Sequence, residues 1–363
     1  MFAKRVERVR SAMVEQGVDA LLLSLGADLP WLTGYHAMPL ERLTMLVLPA
    51  DGDATLVVPR LEAPRVDEQP DVFSVRPWGE TENPVAVVAD LVGTRSSLAV
   101  SDRAWATFLL QLQRALPGTR WQAASTVTSP LRAVKDEAEI DALRRAGAAA
   151  DRVAAQLLGG EIALIGRREA EVSADLSRRL KAEGHEAVNF AIVGSGPNSA
   201  SPHHHPGERV IEAGEAVVCD FGGTLDGYCS DITRTVFTGE PPTEFRHLYD
   251  VLQQAQAAAV AAATVGTACE DVDAAARSII AEAGFGEAFI HRTGHGIGIE
   301  EHEDPYLVSG NAQPLAAGHA FSIEPGIYLE GRFGARIEDI VVASDAGPDP
   351  LNAAAHDLHV VAV

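Results

Sequence analysis

Cysteine is scarce in this chain. Only Cys219, Cys229 and Cys269 occur among 363 residues, an odd and sparse set that builds no disulfide framework and is expected to be three buried free thiols. Basic residues are also in short supply. Against 51 Asp and Glu there are 29 Lys and Arg, which leaves a net charge of −22 and a pI near 4.9. Such an acidic surface repels phosphate backbones and anionic lipid, so nucleic acid and membrane surfaces are excluded as partners. Small neutral or cationic substrates and metal cations remain compatible with it. Long apolar runs are missing too. Residues 20–25 are too few for the apolar stretch of a secretory signal. The alanine-rich run 255–268 is too short to span a bilayer and contains Gln256, so it is expected to form a buried helix. The chain is accordingly expected in the cytoplasm. Three catalytic signatures are absent: a His-Glu-x-x-His pair, a Gly-x-Ser-x-Gly elbow and a glycine-rich phosphate loop after a strand. The pair Gly194 and Gly196 reads instead as a loop leading towards His203.

What is present is the composition of a globular protein, 47% apolar and 22% charged, with length enough for two domains with cores. Helical periodicity over 3–17 places Val6, Val9, Met13 and Val14 on one face, with Gly17 closing the helix. Strand-like runs follow at 20–24, 45–49, 55–58 and 97–100, with helical stretches at 85–92 and 104–115, the alternation of a small α/β domain. Asp28, Trp31, Thr33, Gly34 and Tyr35 form a dense polar and aromatic segment, expected to be a structural turn or the edge of a site. Ser129-Pro130 punctuates the chain, and a long helix follows over about 136–158 with Ile140, Leu143, Ala146, Ala150 and Val153 as its apolar stripe. The boundary is therefore expected at 128, dividing the chain into 1–128 and 129–363.

The second part carries two strand pairs that resemble each other. Residues 216–221 and 228–237 flank Asp226-Gly227, a hairpin signal, and residues 320–328 and 335–343 are joined through Gly331 and Gly334. The first pair reads Asp220-Phe-Gly, Leu225-Asp-Gly, Asp231-Ile. The second reads Glu324-Pro-Gly, Leu329-Glu-Gly, Glu338-Asp-Ile. Seven residues separate Asp220 from Gly227, and seven separate Glu324 from Gly331. This weak repeat implies two pseudo-symmetric halves, each giving two carboxylates to a shared centre.

Carboxylates inside apolar strands are disfavoured, and a buried one is costly unless paired or bound to a cation. Four of them, symmetrically placed, point to a metal. His295, flanked by glycines in Thr293-Gly-His-Gly-Ile-Gly298, supplies a nitrogen, and the glycines allow close backbone approach. Such a mixed set suits Mn²⁺, Co²⁺, Zn²⁺ or Fe²⁺, and two of the carboxylates can bridge a metal pair.

With these residues in place, the chain resembles the pita-bread metallopeptidases: methionine aminopeptidase, aminopeptidase P and prolidase. The order Asp220, Asp231, His295, Glu324, Glu338, with 11 residues from Asp220 to Asp231, 29 from His295 to Glu324 and 14 from Glu324 to Glu338, matches the proline-peptidase branch. So do the strings around Asp220, Ser230-Asp-Ile-Thr-Arg234, Gly294-His-Gly-Ile-Gly298, Ile323-Glu-Pro-Gly326 and Arg336-Ile-Glu-Asp339. The resemblance covers the second half fully and extends more loosely over 3–128, which looks like the creatinase-type N-terminal domain of that branch. It implies an α/β (α+β) chain with a creatinase-type domain followed by a pita-bread domain.

It also implies roles. Two divalent ions per subunit would be held by Asp220, Asp231, His295, Glu324 and Glu338, with Asp231 and Glu338 bridging; manganese is the first expectation, cobalt and zinc the others. Glu324 would serve as general base and acid. His302, seven residues after His295, would donate to the oxyanion, and His203, seventeen before Asp220, would hold the proline end of the substrate. Arg336 would orient the carboxylates. Short proline-containing peptides, cut at the Xaa-Pro bond, are the implied substrates, with the N-terminal domain limiting access to short chains and a homodimer as the implied assembly. A bond preceding proline lacks the N–H that other peptidases contact, so it needs a dedicated site.

One departure stands out. Many prolidases carry arginine eleven residues after the ligand histidine, where it meets a dipeptide's carboxylate; here that position is Tyr306. Dipeptidase action remains the leading expectation, with aminopeptidase P-like cleavage of longer peptides, or hydrolysis of a non-peptide amide or ester, as alternatives. A metal-free creatinase-type amidinohydrolase or a non-catalytic binding module would lack the ligand set that this chain has. Plain methionine aminopeptidase rarely carries such an N-terminal domain.

Overall fold

The computed structural model describes residues 1–362. It divides into two compact units, Met1–Arg132 and Ala133–Val363.

In the first unit, helix α1 (Phe2–Gln16) ends at Gly17, whose φ of 64° is the left-handed conformation of a C-cap. Val6, Val9 and Met13 are buried, whereas Val14 is 70% exposed. A step of one residue turns a helix by about 100°, which carries Val14 off the face that Met13 occupies. A six-stranded sheet follows, built from β1 (Ala20–Leu23), β2 (Met45–Pro49), β3 (Thr55–Pro59), β4 (Ser74–Trp78), β5 (Ser97–Val100) and β6 (Arg120–Ala123) in the order β4-β3-β2-β1-β5-β6. Strands β1 and β2 are buried on both faces, as their unbroken apolar runs require. Helices α3 (Pro84–Val92) and α4 (Ala106–Ala115) send Val85, Val88, Val92 and Leu112 into the same core. The polar and aromatic segment is a short helix, α2 (Asp28–Thr33), and not a turn. Leu29, Trp31 and Leu32 are buried there, and the Asp28 carboxylate pairs with Arg132 at 3.0 Å. Ser129-Pro130 lies within helix α5 (Ser125–Ala133), so this pair does not break the chain.

The second unit begins with α6 (Glu137–Leu158), started by a capping box in which Asp136 and Glu139 exchange side chain-to-backbone hydrogen bonds. Gly147, inside this helix, sits where a Cβ would meet the Leu351 carbonyl at 3.1 Å. Helix α7 (Glu169–Ala182) leads into β7 (Ala187–Ser195), β8 (Ala216–Leu225), β9 (Tyr228–Cys229) and β10 (Ile232–Thr238). These pair antiparallel, and β18 (His359–Val361) joins β10 in parallel, giving the order β18-β10-β8-β7 with β9 on β8. Asp226 and Gly227 take φ of 52° and 77°, the paired positive values of a tight hairpin turn. A second run repeats the plan. Helices α8 (Thr243–Ala262) and α9 (Cys269–Glu282) precede β11 (Gly294–Gly296), β12 (Glu303–Leu307), β13 (Ala320–Ile323), β16 (Asp339–Ser344) and β17 (Gly347–Pro350), ordered β12-β11-β13-β16-β17. The alanine-rich run is helical only to Ala262; beyond it Gly266 takes φ of 91° and Val265 is exposed. All three cysteines are buried free thiols. Among the described residues no helix is long and apolar enough to cross a membrane.

The repeat has a physical signature. Near the start of each second helix an acid receives both the backbone N–H and the hydroxyl of one residue at the following strand. Glu169 takes those of Ser195, both at 2.8 Å, and Asp273 takes those of Thr293, at 3.1 and 2.8 Å. A bridge between Thr233 and Glu338 joins the two sheets.

Candidate metal centre

The second hairpin is interrupted. Between β13 and β14 (Gly326–Leu329) stand Glu324 and Pro325, and between β15 (Phe333–Arg336) and β16 stand Ile337 and Glu338. Strands β14 and β15 then pair in a small sheet of their own. Pro325 has no N–H to extend the ladder. Asp231 lies in a similar gap between β9 and β10, and only Asp220 is in a strand interior, on β8 opposite Thr233. Three of the four carboxylates therefore occupy strand breaks and not the apolar strand interiors in which the sequence pattern placed them. A break frees the side chain from the strict alternation of the pleat, so it can turn into a shared cavity.

That cavity, of about 550 Å³, is lined by all five expected metal-binding residues and by His203, His302 and Arg336. Ligand atoms of Asp231, His295 and Glu338 lie within 4.8 Å of one another. His295 Nε2 is 3.3 Å from Glu324 Oε1 and 3.7 Å from Asp231 Oδ2. Its Nδ1 faces the Gly296 carbonyl at 3.1 Å, where only an N–H can bond, so the Nε2 lone pair is left towards the carboxylates. Arg336 is held at four points: Asp220 Oδ2 at 2.6 Å, the Tyr328 hydroxyl at 2.7 Å, Thr233 Oγ1 at 3.1 Å and the Pro202 carbonyl at 3.4 Å. Thr233 in turn donates to Glu338 at 2.6 Å.

Electrostatically this is a strained cluster. Burial, then the neighbouring Glu338, Asp220 and Glu324, pushes the Asp231 carboxyl well above the usual range. Burial, followed by Glu324 and Asp220, does the same to Glu338. Glu324 is pushed up to about 7, chiefly by burial. The imidazoles move the other way: burial, then His302, brings His295 down to about 3, and burial, then Arg336, brings His291 to about 4. Asp220 Oδ1 is buried with no hydrogen-bond partner. Mutually repelling carboxylates, a neutral imidazole and an orphaned oxygen aimed at one point are a donor set that fits divalent cations.

The histidine triplet separates by environment. His203 lines the cavity, His204 turns away to Glu169 with Nε2 2.7 Å from Oε2, and His205 is exposed. The His302 ring stands edge-on to His295, 4.1 Å between centroids. Tyr306 is not among the lining residues; its ring lies beneath Arg292, whose guanidinium carbon is 4.3 Å from the ring centroid. His291, Arg292, Glu301, Phe190 and Ile192 line the cavity without having been singled out from sequence. His291 and Tyr328 sit four residues before and after ligand positions, a spacing that could have flagged them, and their side chains bond each other at 2.9 Å.

The glycines beside His295 are required by packing. A Cβ on Gly294 would overlap the Ser322 carbonyl, and one on Gly296 the Asp304 carbonyl. Gly294→Ala is expected to force β11 away from β13, costing on the order of 1–3 kcal/mol. Thermal unfolding together with metal analysis checks this: both stability and bound metal should fall, and an unchanged melting temperature would refute the packing account.

An α/β chain whose antiparallel, internally repeated domain closes on acids and a neutral imidazole defines a metal-dependent hydrolase. Residues 141–345 match metallopeptidase family M24, and residues 5–134 match the creatinase/prolidase N-terminal domain. The chain belongs to family M24, the pita-bread metallopeptidases. It is 46% identical over 368 residues to a Mycobacterium tuberculosis protein named "Probable dipeptidase PepE", covering 100% of this chain and 97% of the relative. The crystal structure of dipeptidase PepE from Mycobacterium ulcerans is similar with a TM-score of 0.94 at 47% identity, over 100% of this chain and 98% of that one. Prolidase from Thermococcus sibiricus gives a TM-score of 0.92 at 36% identity, over 100% and 99%.

Proposed function

We propose that this metallopeptidase hydrolyses the Xaa-Pro bond of short peptides at a two-metal centre held by Asp220, Asp231, His295, Glu324 and Glu338, acting as a dipeptidase. The observation that carries the reading is the convergence of four carboxylates and one neutral imidazole on a single cavity. The ligand atoms of Asp231, His295 and Glu338, within 4.8 Å of one another, would hold the cations together with Asp220 and Glu324. Bound there, the cations would polarise the scissile carbonyl and lower the pKa of water.

The chain's own groups do the rest. Glu324, which lines the cavity, would accept a proton from the attacking water and return it to the proline nitrogen as the C–N bond breaks. The hydroxyl of that water stays on the acyl carbon. His302 is held neutral by burial and then by Arg292, leaving it one N–H to donate to the oxyanion. His203, which also lines the cavity, would hold the proline end, and Arg336 fixes the Asp220 carboxylate through its 2.6 Å contact. Manganese is the first expected metal, a homodimer the expected assembly and the cytoplasm the expected compartment. Tyr306, where many prolidases carry arginine, favours a second reading, aminopeptidase P-like cleavage of longer peptides.

The test is hydrolysis of an Xaa-Pro dipeptide against an Xaa-Pro-Yaa tripeptide with Mn²⁺, and with a chelator as control. Cleavage of the dipeptide alone supports dipeptidase action. Tripeptide cleavage at least as fast favours the second reading, and cleavage of neither by metal-loaded protein refutes the peptide substrate class.

A further inference from the structure

Glu338 stands where one strand leaves off and another begins. Arg336 before it pairs with Gly326 in the small sheet, and Asp339 after it pairs with Ile323 in the larger one. A residue in such a gap has no ladder to hold its backbone, yet Glu338 is 2% exposed, and buried backbone groups require partners. Its N–H donates to the Thr233 carbonyl at 3.2 Å. Its carbonyl accepts from Arg234 Nη1 at 2.7 Å, a side chain taking the place of a strand neighbour. Its carboxylate accepts from Thr233 Oγ1 at 2.6 Å. Thr233 and Arg234, adjacent on β10, thus fix both the backbone and the side chain of a proposed metal ligand.

Arg234 is itself fully committed. It is 1% exposed, and a guanidinium has five N–H donors to satisfy. Nε reaches the Ala355 carbonyl at 2.9 Å, and Nη1 reaches the Thr233 carbonyl at 2.9 Å as well as that of Glu338. Nη2 reaches Asp339 Oδ1 and the Ala354 carbonyl, both at 2.7 Å. Five donors therefore meet five acceptors. Two of those acceptors belong to the segment that follows β17, and other elements tie that segment down. Asp151 on α6 accepts the Ala353 N–H at 2.7 Å, and those of Ala354 and of the Asn352 side chain at 3.3 Å. Tyr249 on α8 donates to the His356 carbonyl at 3.0 Å. His356 and Gln256 meet Asp339 Oδ2, so its Oδ1 is left to Arg234.

Arg234, Asp339, Asp151 and Ala354 are not among the residues lining the catalytic cavity, so this set acts from behind the centre. Resting on the metal-centre reading, we infer that Arg234 is a positioning residue for the metal ions, acting through the Glu338 backbone, and that residues 352–356, strapped to α6 by Asp151, hold Arg234 in its place. A residue in a strand gap is free to turn about its own φ and ψ. Pinning both its N–H and its carbonyl removes that freedom, so the Glu338 carboxylate is preorganised before a cation arrives. Lysine cannot substitute for the guanidinium here, because one ammonium carries three donors from a single point and cannot span five separated acceptors.

The test titrates Mn²⁺ by calorimetry into chelator-stripped wild type, Arg234→Lys, Asp151→Asn and a control, Asp175→Asn, with circular dichroism and melting in chelator confirming each fold. Asp175 pairs with Arg167 and Arg179 and is not among the cavity-lining residues, so its substitution reports on stability alone. Arg234→Lys should weaken Mn²⁺ binding about 10- to 100-fold, the usual effect of losing a partner behind a ligand. It should also shift the visible bands of the Co²⁺-loaded protein, which report ligand geometry. Asp151→Asn, at a residue whose hydrogen bonds go to 352–354, should weaken binding in the same direction by a smaller factor. Asp175→Asn should lower the melting temperature and leave both metal readouts at wild-type values. If Arg234→Lys fails to fold, Asp151→Asn carries the test. Folded Arg234→Lys with wild-type affinity and spectrum overturns the inference. So does a control that loses as much affinity as the two variants, since the effect is then one of general stability. Weakening in Arg234→Lys with none in Asp151→Asn overturns the part assigned to the strap. If wild type itself binds neither Mn²⁺ nor Co²⁺, the metal-centre reading fails and the inference with it.

Discussion

Asp231→Asn should lower kcat by at least about 10³-fold, because losing a carboxylate proposed to hold the metals would remove several kcal/mol of charge stabilisation from the transition state. The same variant should bind less metal without unfolding. In wild type, Asp231 is buried within ion-pair distance of His295 and is crowded by Glu338, Asp220 and Glu324. Asparagine keeps the shape and removes the charge, so in chelator-treated protein the repulsion it relieves offsets whatever hydrogen bonding it disturbs. The combined signature is loss of turnover and of metal with a melting temperature, measured in chelator, equal to or above that of wild type. An ordinary core residue would behave oppositely, losing stability with or without metal. Activity like that of wild type would sink the two-metal centre.

The legible part of this molecule was the part written in residue type at fixed spacing. Asp226-Gly227 demanded a tight turn and forms one. The glycines around His295 signalled close backbone approach, and the Ser322 and Asp304 carbonyls occupy the space. The twofold recurrence of Asp and Glu pointed to one centre, and the four carboxylates do converge. What periodicity could not show was where strands stop. Glu324 and Glu338 look like strand residues until Pro325 and the separate β14–β15 pair are seen to break the ladder. The environment of identical neighbours was equally hidden: His203 and His204 differ only in that Glu169, thirty-five residues away, captures one of them. Arg292 carried no local signal at all, since only the packed structure shows that it lines the cavity. In the first unit, Asp28–Thr33 was misread because polar residues at its ends masked the buried Leu29, Trp31 and Leu32 between them.

The second large effect concerns pH. As pH rises from about 4.5 to about 7, stability in chelator should fall relative to stability in saturating Mn²⁺. The Glu324 carboxyl, ordinarily near 4.5, is pushed up to about 7 in the folded chain, and Asp231 and Glu338 shift in the same direction. Between each ordinary value and its raised value the folded chain holds a proton that the unfolded chain has released. The unfolded state therefore binds fewer protons, and stability declines with pH across that window. The buried histidines oppose this at lower pH. His295, His291 and His319 are brought down to about 3, 4 and 4 from 6.5, so the unfolded chain binds the extra proton there and stability rises with pH until that difference is exhausted near 7. The carboxylates act across the same window, up to about 7 for Glu324. Metal reverses their sign, since ligation requires the ionised form and displaces the protons, so affinity strengthens as pH rises. At a metal concentration about 1,000 times Kd the stabilisation reaches about 4 kcal/mol. Melting temperatures measured in chelator and in Mn²⁺ should thus diverge as pH rises from about 4.5 to about 7. Groups outside the centre titrate in both series and cancel from the difference. Glu324→Gln should reduce the divergence, and curves that stay parallel would show that the four carboxylates do not hold the metal.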